Sequence, residues 1–80
     1  MNSISVKYFA SLREAAGREQ ETFETPCATY ADLYRHLAEK HSFSLPLKLI
    51  QVAVNDEFAS LDSPVRANDR VVFIPPVAGG

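Results

Sequence analysis

A single segment of the chain has the spacing of a long amphipathic helix, and this limits the folds open to it. Between residues 30 and 41 the apolar side chains form one stripe: Tyr30, Leu33, Tyr34, Leu37 and Ala38. Thr29, followed three residues later by Asp32, is close to a capping box in which Asp replaces the usual Glu. Arg35 and Glu39 have the i, i+4 spacing of an ion pair. In an 80-residue chain, one such helix predicts a two-layer α+β domain with the helix on one face of a mixed sheet.

The first and last apolar segments alternate in the manner of half-buried strands. In SISVKYF the side chains of Ile4, Val6 and Tyr8 share one face, and in RVVFIPP those of Val71 and Phe73 do the same. These are the two most continuously apolar strands. We therefore expect them to lie side by side at the centre of the sheet, as in a β-grasp fold.

The segments between them predict the remaining elements. ASLREAAG contains helix formers and is stopped by Gly17, so it predicts a short helix of roughly two turns. The charged segment 18–26 predicts an edge strand. QVAVN, at 51–55, predicts a strand that turns at Asn55-Asp56 into a short partner strand. The sheet is thus expected to have four or five strands.

The face of this sheet opposite the helix is unusually apolar. It receives Phe9, Val72 and Ile74, and Phe58 joins them from the strand after the turn. Several large apolar side chains on one exposed face indicate a protein–protein surface. The alternative is that the loop at 42–50, which contains four aliphatic residues, folds over this face and covers it.

Charge and composition exclude several classes of function. The formal net charge is −2 with no basic face, which argues against nucleic acid as the partner. No apolar run is long enough to span a bilayer and no signal-peptide pattern opens the chain, so we expect a cytoplasmic domain. The lone Cys27 excludes an internal disulfide.

The titratable residues do not suggest a catalyst. His36 and His41 are five residues apart and miss metal-ligand spacing, so we expect both at the surface and no bound metal. Glu19, Glu21 and Glu24 are expected to be solvated charges that keep other chains off the edge strand. No nucleophile–base order, phosphate loop or dinucleotide fingerprint is present. The chain is therefore expected to be non-catalytic on its own.

The last eight residues, FIPPVAGG, carry the sharpest signal. Pro75 and Pro76 cannot donate ladder hydrogen bonds, which predicts a domain at 1–74 and an extended tail at 75–80. From Pro75 an extended chain reaches at most ~20 Å, at ~3.3–3.6 Å per residue. Because Gly79 and Gly80 have no side chains, a narrow channel in a partner admits them, and the α-carboxylate of Gly80 is exposed to chemistry.

Three segments, VKYFASLRE, AVNDEF and DRVVFIPPVAGG, resemble the small, sulfur-carrying subunits of molybdopterin synthase, a ubiquitin-like β-grasp family. The resemblance covers the whole chain, and the terminal PPVAGG is its most specific part. It implies a role in molybdenum cofactor biosynthesis, as the sulfur-donating subunit of a sulfurtransferase complex.

The resemblance also implies a mechanism. An ATP-Mg-using activating enzyme adenylates the carboxylate of Gly80, and a persulfide-type donor system replaces AMP to leave a thiocarboxylate. The sulfur then passes to a pyranopterin precursor on the large synthase subunit, within a heterotetramer, to form the dithiolene. ATP and pterin would bind to the partners, so this chain is expected to hold no cofactor of its own.

The family's partner contacts correspond to identifiable positions here. Those implied to bind partners are Phe9, Arg13, Phe58, Ile74, Pro75, Pro76, Val77 and Ala78. Two positions depart from the pattern. Arg70 stands where the family often has an acid, and Ile74 stands where an aromatic residue is also common.

Other functions share parts of this pattern. A sulfur carrier for the thiazole of thiamine or for a thiolated tRNA base would use the same terminal chemistry. A ubiquitin-like modifier would instead be joined through Gly80 to lysines. A plain interaction module would end in two glycines by chance.

Overall fold

The fold is described by a computed structural model, which covers residues 2–76. Its strands are β1 (Asn2–Tyr8), β2 (Gln20–Thr25), β3 (Gln51–Val54), β4 (Glu57–Ala59) and β5 (Arg70–Ile74), and its helices are α1 (Ala10–Ala16) and α2 (Tyr30–His41). The strands form one sheet in the order β2-β1-β5-β3-β4. β1 and β5 pair in parallel, and the other neighbours are antiparallel. The expected β-grasp architecture is confirmed, with the first and last strands adjacent and β2 at an edge.

Both helices end at a residue in the left-handed conformation. Gly17 closes α1 with φ 73°, as expected, and Ser42 closes α2 with φ 59°. At the start of α2, the Thr29 hydroxyl accepts a hydrogen bond from the Asp32 N–H at 3.2 Å, so the predicted cap is confirmed. Neither described helix has the length and apolar character needed to cross a lipid bilayer.

The prediction of an ion pair between Arg35 and Glu39 is wrong. The Arg35 guanidinium lies 3.3 Å from the carboxylate of Asp32, one turn earlier on α2. Asp32 belongs to the first turn of the helix, so it also interacts favourably with the helix dipole. Because Arg35 has an acid available in both directions along the helix, spacing alone did not decide between them.

The core lies on one side of the sheet. The stripe of α2 packs against alternate residues of the strands, all nearly or fully buried: Ile4, Val6, Tyr8, Val52, Val71 and Phe73. The rings of Tyr34 and Phe73 meet edge to face, with their centroids 5.4 Å apart. The helix and the sheet thus bury each other's apolar faces, as the strand alternation predicts.

The loop at 42–50 extends this core and does not cover the opposite face. Phe43 packs against the rings of Tyr8 and Tyr34, and a short 3₁₀ helix, Leu47–Leu49, leads into the buried Ile50. The alternative in which this loop shields the outer face is therefore wrong. We call that face, opposite α2, the outer face.

A buried carboxylate anchors the turn between β3 and β4. The Asn55 amide donates to Asp69 at 3.2 Å, and its carbonyl oxygen accepts from the Arg70 N–H at 2.9 Å. Asp69 also accepts from the Tyr30 hydroxyl at 2.7 Å. Burial, and then the bond to Asp69, raises the pKa of Tyr30 well above its usual range. Asn55 and Asp56, both at positive φ, form the predicted tight turn, and this network holds it against β5 and α2.

The expectation that Glu21 is a solvated edge charge is wrong. Its side chain is only 6% exposed, and it accepts hydrogen bonds from the Tyr8 hydroxyl at 2.5 Å, the Nε2 of His41 at 2.6 Å and the Lys40 ammonium at 3.3 Å. His41, also expected at the surface, is 11% exposed. The alternation of β2 turns Glu21 towards α2, whose last turn supplies Lys40 and His41, while Tyr8 comes from the neighbouring strand β1.

The environment of Glu21 keeps it ionised. Burial alone raises the pKa of this carboxyl group, but the hydrogen bonds from Tyr8, His41 and Lys40 outweigh that effect. The resulting pKa falls from 4.5 to about 2. Glu21 therefore joins the edge strand β2 to the end of α2 as a paired charge inside the fold.

Candidate docking surface and the root of the tail

The end of β5 brings the tail out of the middle of the sheet. The strand stops at Ile74, where Pro75 begins the proline pair. Pro75 is buried and Pro76 is exposed, so the change from packed to exposed chain falls between the two prolines. The predicted tail residues Val77, Ala78, Gly79 and Gly80 lie outside the described residues, and their roles remain predictions.

Strand register sets a row of three apolar side chains and one lysine across the outer face. Lys7 of β1 pairs with Val72 of β5, which pairs with Ala53 of β3, which pairs with Phe58 of β4. Residues paired across strands point to the same side, so these four side chains lie next to one another. Phe58 is 75% exposed at the open edge, and Val72 and Ala53 are half-buried. The structure brings Phe58 and Val72 onto one surface.

A second pair of apolar residues lies near the root of the tail. Tyr8 and Phe73 are neighbours in the parallel ladder, so Phe9 and Ile74 come next on their two chains. Phe9 precedes α1 and is 43% exposed, whereas Ile74 is half-buried. We call Phe9, Ala53, Phe58, Val72 and Ile74 together the docking surface. Partly exposed apolar side chains gathered on one face in this way are typical of a protein interface.

Arg13 lies on α1 and is exposed. None of the ion pairs within residues 2–76 includes its guanidinium. It is therefore available to an acidic group from outside, although its role in partner binding remains a prediction.

Sequence reasoning missed a polar cleft beside the docking surface. The cleft has a volume of about 200 Å³ and is lined by Ser5, Lys7, Gln20, Asp56, Arg70, Val71 and Val72. Arg70 reaches across to Asp56, with Nη2 and Oδ2 3.1 Å apart. The lining comes from β1, the start of β2, the β3–β4 turn and β5, so no local pattern in the sequence points to it.

The comparisons with known proteins agree with this geometry. Residues 6–80 match the model of the ThiS family. The chain is 34% identical over 80 residues to the molybdopterin synthase sulfur carrier subunit of Haemophilus influenzae, with 96% of this chain and 99% of that protein covered.

Solved structures share the fold. The small archaeal modifier protein 1 of Haloferax volcanii superposes with a TM-score of 0.80 at 28% identity, covering 96% of this chain and 100% of that one. A chain from the complex of subunits 1 and 2 of the molybdopterin-converting factor of Helicobacter pylori gives a TM-score of 0.65 at 24% identity, covering 98% of this chain and 99% of that one. At that identity the second likeness shows the fold alone.

Proposed function

The chain belongs to the ThiS family, and we propose that it is the sulfur carrier subunit of a molybdopterin synthase. The observation that carries the proposal is that the family match runs to residue 80 and so includes the terminal Gly-Gly. A relative named as a sulfur carrier subunit matches at full length. The family match therefore covers both the β-grasp domain and the terminal Gly-Gly on which the proposed chemistry takes place.

The chemistry of the proposal is confined to the carboxylate of Gly80. An activating enzyme transfers AMP from ATP to this carboxylate and releases pyrophosphate, which converts a poor acyl donor into a good one. A persulfide sulfur then attacks the carbonyl carbon, and AMP leaves. A thiol then attacks the donor's sulfur atom in the resulting acyl disulfide; it forms a new disulfide with the donor and releases a thiocarboxylate on Gly80. Because the route consumes ATP, we place the carrier in the cytoplasm.

The body of the chain serves to dock and to aim the tail. In the proposed complex, the large synthase subunit covers the docking surface while the tail enters its active site. There the thiocarboxylate sulfur attacks a carbon of a pyranopterin precursor and displaces an oxygen substituent. Water then hydrolyses the resulting thioester, which leaves the sulfur on the precursor and returns the carboxylate of Gly80. Two carriers and two large subunits would form the heterotetramer. The exposed Phe58 and the position of β5 support this arrangement, because the tail leaves the body close to Phe9 and Ile74.

Intact-mass measurement tests the proposal. After incubation with the activating enzyme, ATP-Mg and a sulfur donor, the chain should gain the mass difference between one sulfur atom and one oxygen atom. A variant that lacks Gly80 serves as the matched control and should stay unchanged. The activity of the activating enzyme is first verified on a carrier that it is known to thiolate. If that enzyme leaves the mass of this chain unaltered, the sulfur-carrier function is excluded.

A second candidate function is that of a protein modifier, favoured by the likeness to a small archaeal modifier protein. In this case the activated Gly80 would form an isopeptide bond with lysines of other proteins. The same incubation in a cell extract distinguishes the two functions. Covalent adducts that survive thiol reduction and depend on Gly80 indicate a modifier.

A further inference from the structure

Lys7 is a cation without a counter-charge on the outer face. None of the ion pairs formed within residues 2–76 includes its ammonium group. The ammonium lies over the ring of Phe9, whose centroid is 5.3 Å from Nζ. An aromatic face attracts a cation but does not neutralise it. Within residues 2–76, Lys7 therefore has no carboxylate in direct contact with its ammonium group.

The other cation of the cleft differs in this respect. Arg70 is paired with Asp56 at 3.1 Å, on the side of the cleft nearer the β3–β4 turn. The lining thus contains two cations, Lys7 and Arg70, against one carboxylate, Asp56. The cleft carries one net positive charge, on the side of Lys7.

Docking changes the environment of this charge. Lys7 is the direct cross-strand neighbour of Val72, and Val72 belongs both to the docking surface and to the cleft wall. A partner that covers Val72 and Phe58 removes water from the neighbouring cleft. A charge that loses its water without gaining a partner weakens binding, whereas a charge that meets an opposite charge sets register and partner choice.

We propose that the cleft receives one acidic side chain, Asp or Glu, from the protein that covers the docking surface. Its carboxylate accepts from the Lys7 ammonium, and the Gln20 amide and the Ser5 hydroxyl are further donors in the same lining. Arg70, paired with Asp56, belongs to the same lining. The inference rests on the proposed docking function and specifies the partner's charge at one point.

Binding measurements with the cognate large subunit test this inference. By calorimetric titration, Lys7→Glu should weaken the complex about tenfold or more, because it places two carboxylates together. Lys48→Glu is the matched control. It makes the same charge change at an exposed residue of the 3₁₀ helix, which contacts α2, and it should leave affinity within about twofold. Wild-type affinity should fall with added salt, and this dependence should vanish or reverse in Lys7→Glu.

A charge swap identifies the acidic group. Acidic surface residues of the large subunit are replaced by Lys one at a time and titrated against Lys7→Glu. One replacement should restore affinity to near the wild-type value. If Lys7→Glu binds as tightly as the control, the lysine keeps its water at the rim and the inference is wrong.

Failure of this inference and failure of the docking surface are distinguishable. If Phe58→Ala weakens binding and Lys7→Glu does not, the docking surface stands and the acidic contact is rejected. If neither substitution weakens binding, the docking surface itself is rejected.

Thermal unfolding of each variant shows whether it is folded. If Lys7→Glu does not fold, Lys7→Met is measured in its place, because it keeps the apolar stem of the side chain and removes the charge. A loss of affinity in Lys7→Met supports the acidic contact, and unchanged affinity rejects it.

Discussion

At the scale of single residues, Glu21 shows where sequence reasoning ends. The alternation of β2 and the position of Glu21 on an edge strand were both predictable. What was not predictable is that the last turn of α2 passes over that edge and brings Lys40 and His41 to the carboxylate. The donors lie 19 and 20 residues away along the chain. Local pattern shows which residues share a face, but only the packing of two elements shows which charges meet.

We predict that Glu21→Gln destabilises the fold at pH 7. The amide keeps the shape of the carboxylate but loses the charge that Lys40 and His41 contact, so the free energy of unfolding should fall by about 1–3 kcal/mol. Chemical denaturation measures this. Glu19→Gln, an exposed neighbour, is the control and should change stability by less than about 0.5 kcal/mol. Equal effects of the two substitutions would contradict a paired, buried Glu21.

The same carboxylate predicts a pH dependence. Its pKa is about 2 in the folded state and 4.5 as a free side chain, so the unfolded chain binds the proton more readily. The stabilisation is complete above pH 4.5 and is lost as the pH falls towards 2. Over this range the gap in unfolding free energy between the wild type and Glu21→Gln should narrow. A gap that stays constant would show that Glu21 does not titrate with folding.

At the scale of elements, one helix end could be predicted from its residue type and the other could not. Gly17 was predicted as a helix stop because glycine adopts left-handed backbone without cost. Ser42 closes α2 in the same conformation, at φ 59°, yet nothing in its residue type indicates a stop there. The equivalent geometry was therefore visible in the sequence at one helix and invisible at the other.

Reciprocal substitutions at these two positions should have opposite effects on stability. Ser42→Gly relieves left-handed strain and should raise the free energy of unfolding by about 0.5–1 kcal/mol. Gly17→Ala introduces that strain and should lower it by about 1–2 kcal/mol. An added Cβ at Gly17 meets no atom within 4 Å, so crowding does not contribute to the cost. Thermal denaturation of both variants provides the measurement, and shifts in the same direction would refute the explanation.

At the scale of the whole molecule, the position of β5 follows from the sequence and the exposure of the outer face does not. Val71 and Phe73 have the alternation of a central strand, and the sheet places them there. Phe58 also has the side chain of a core residue, but β4 lies at the open edge and leaves it exposed. Whether the 42–50 loop covered this face was open in the sequence, because aliphatic residues in a loop can pack on either side of a sheet.

Amide hydrogen exchange should become faster from the centre of the sheet to its edge. Amides of β5 lie between β1 and β3, so they should exchange most slowly, through global unfolding. Amides of β4, which has three residues and one neighbour, should exchange faster through local opening. Exchange followed by NMR at increasing denaturant distinguishes the two routes. Equal protection of β4 and β5 would mean that the sheet opens only as a unit.

The pairing of β5 on both sides also has a mechanical consequence. A force applied to the chain beyond Pro76 pulls β5 along its own length, while its ladder bonds to β1 and β3 run across that direction. Those bonds resist together in shear and are not peeled apart one by one, as the bonds of an edge hairpin would be. A protein bound to the end of this chain can therefore dissociate under a pulling force before the domain unfolds. The central position of β5 therefore makes the fold resistant to a force applied at this end of the chain.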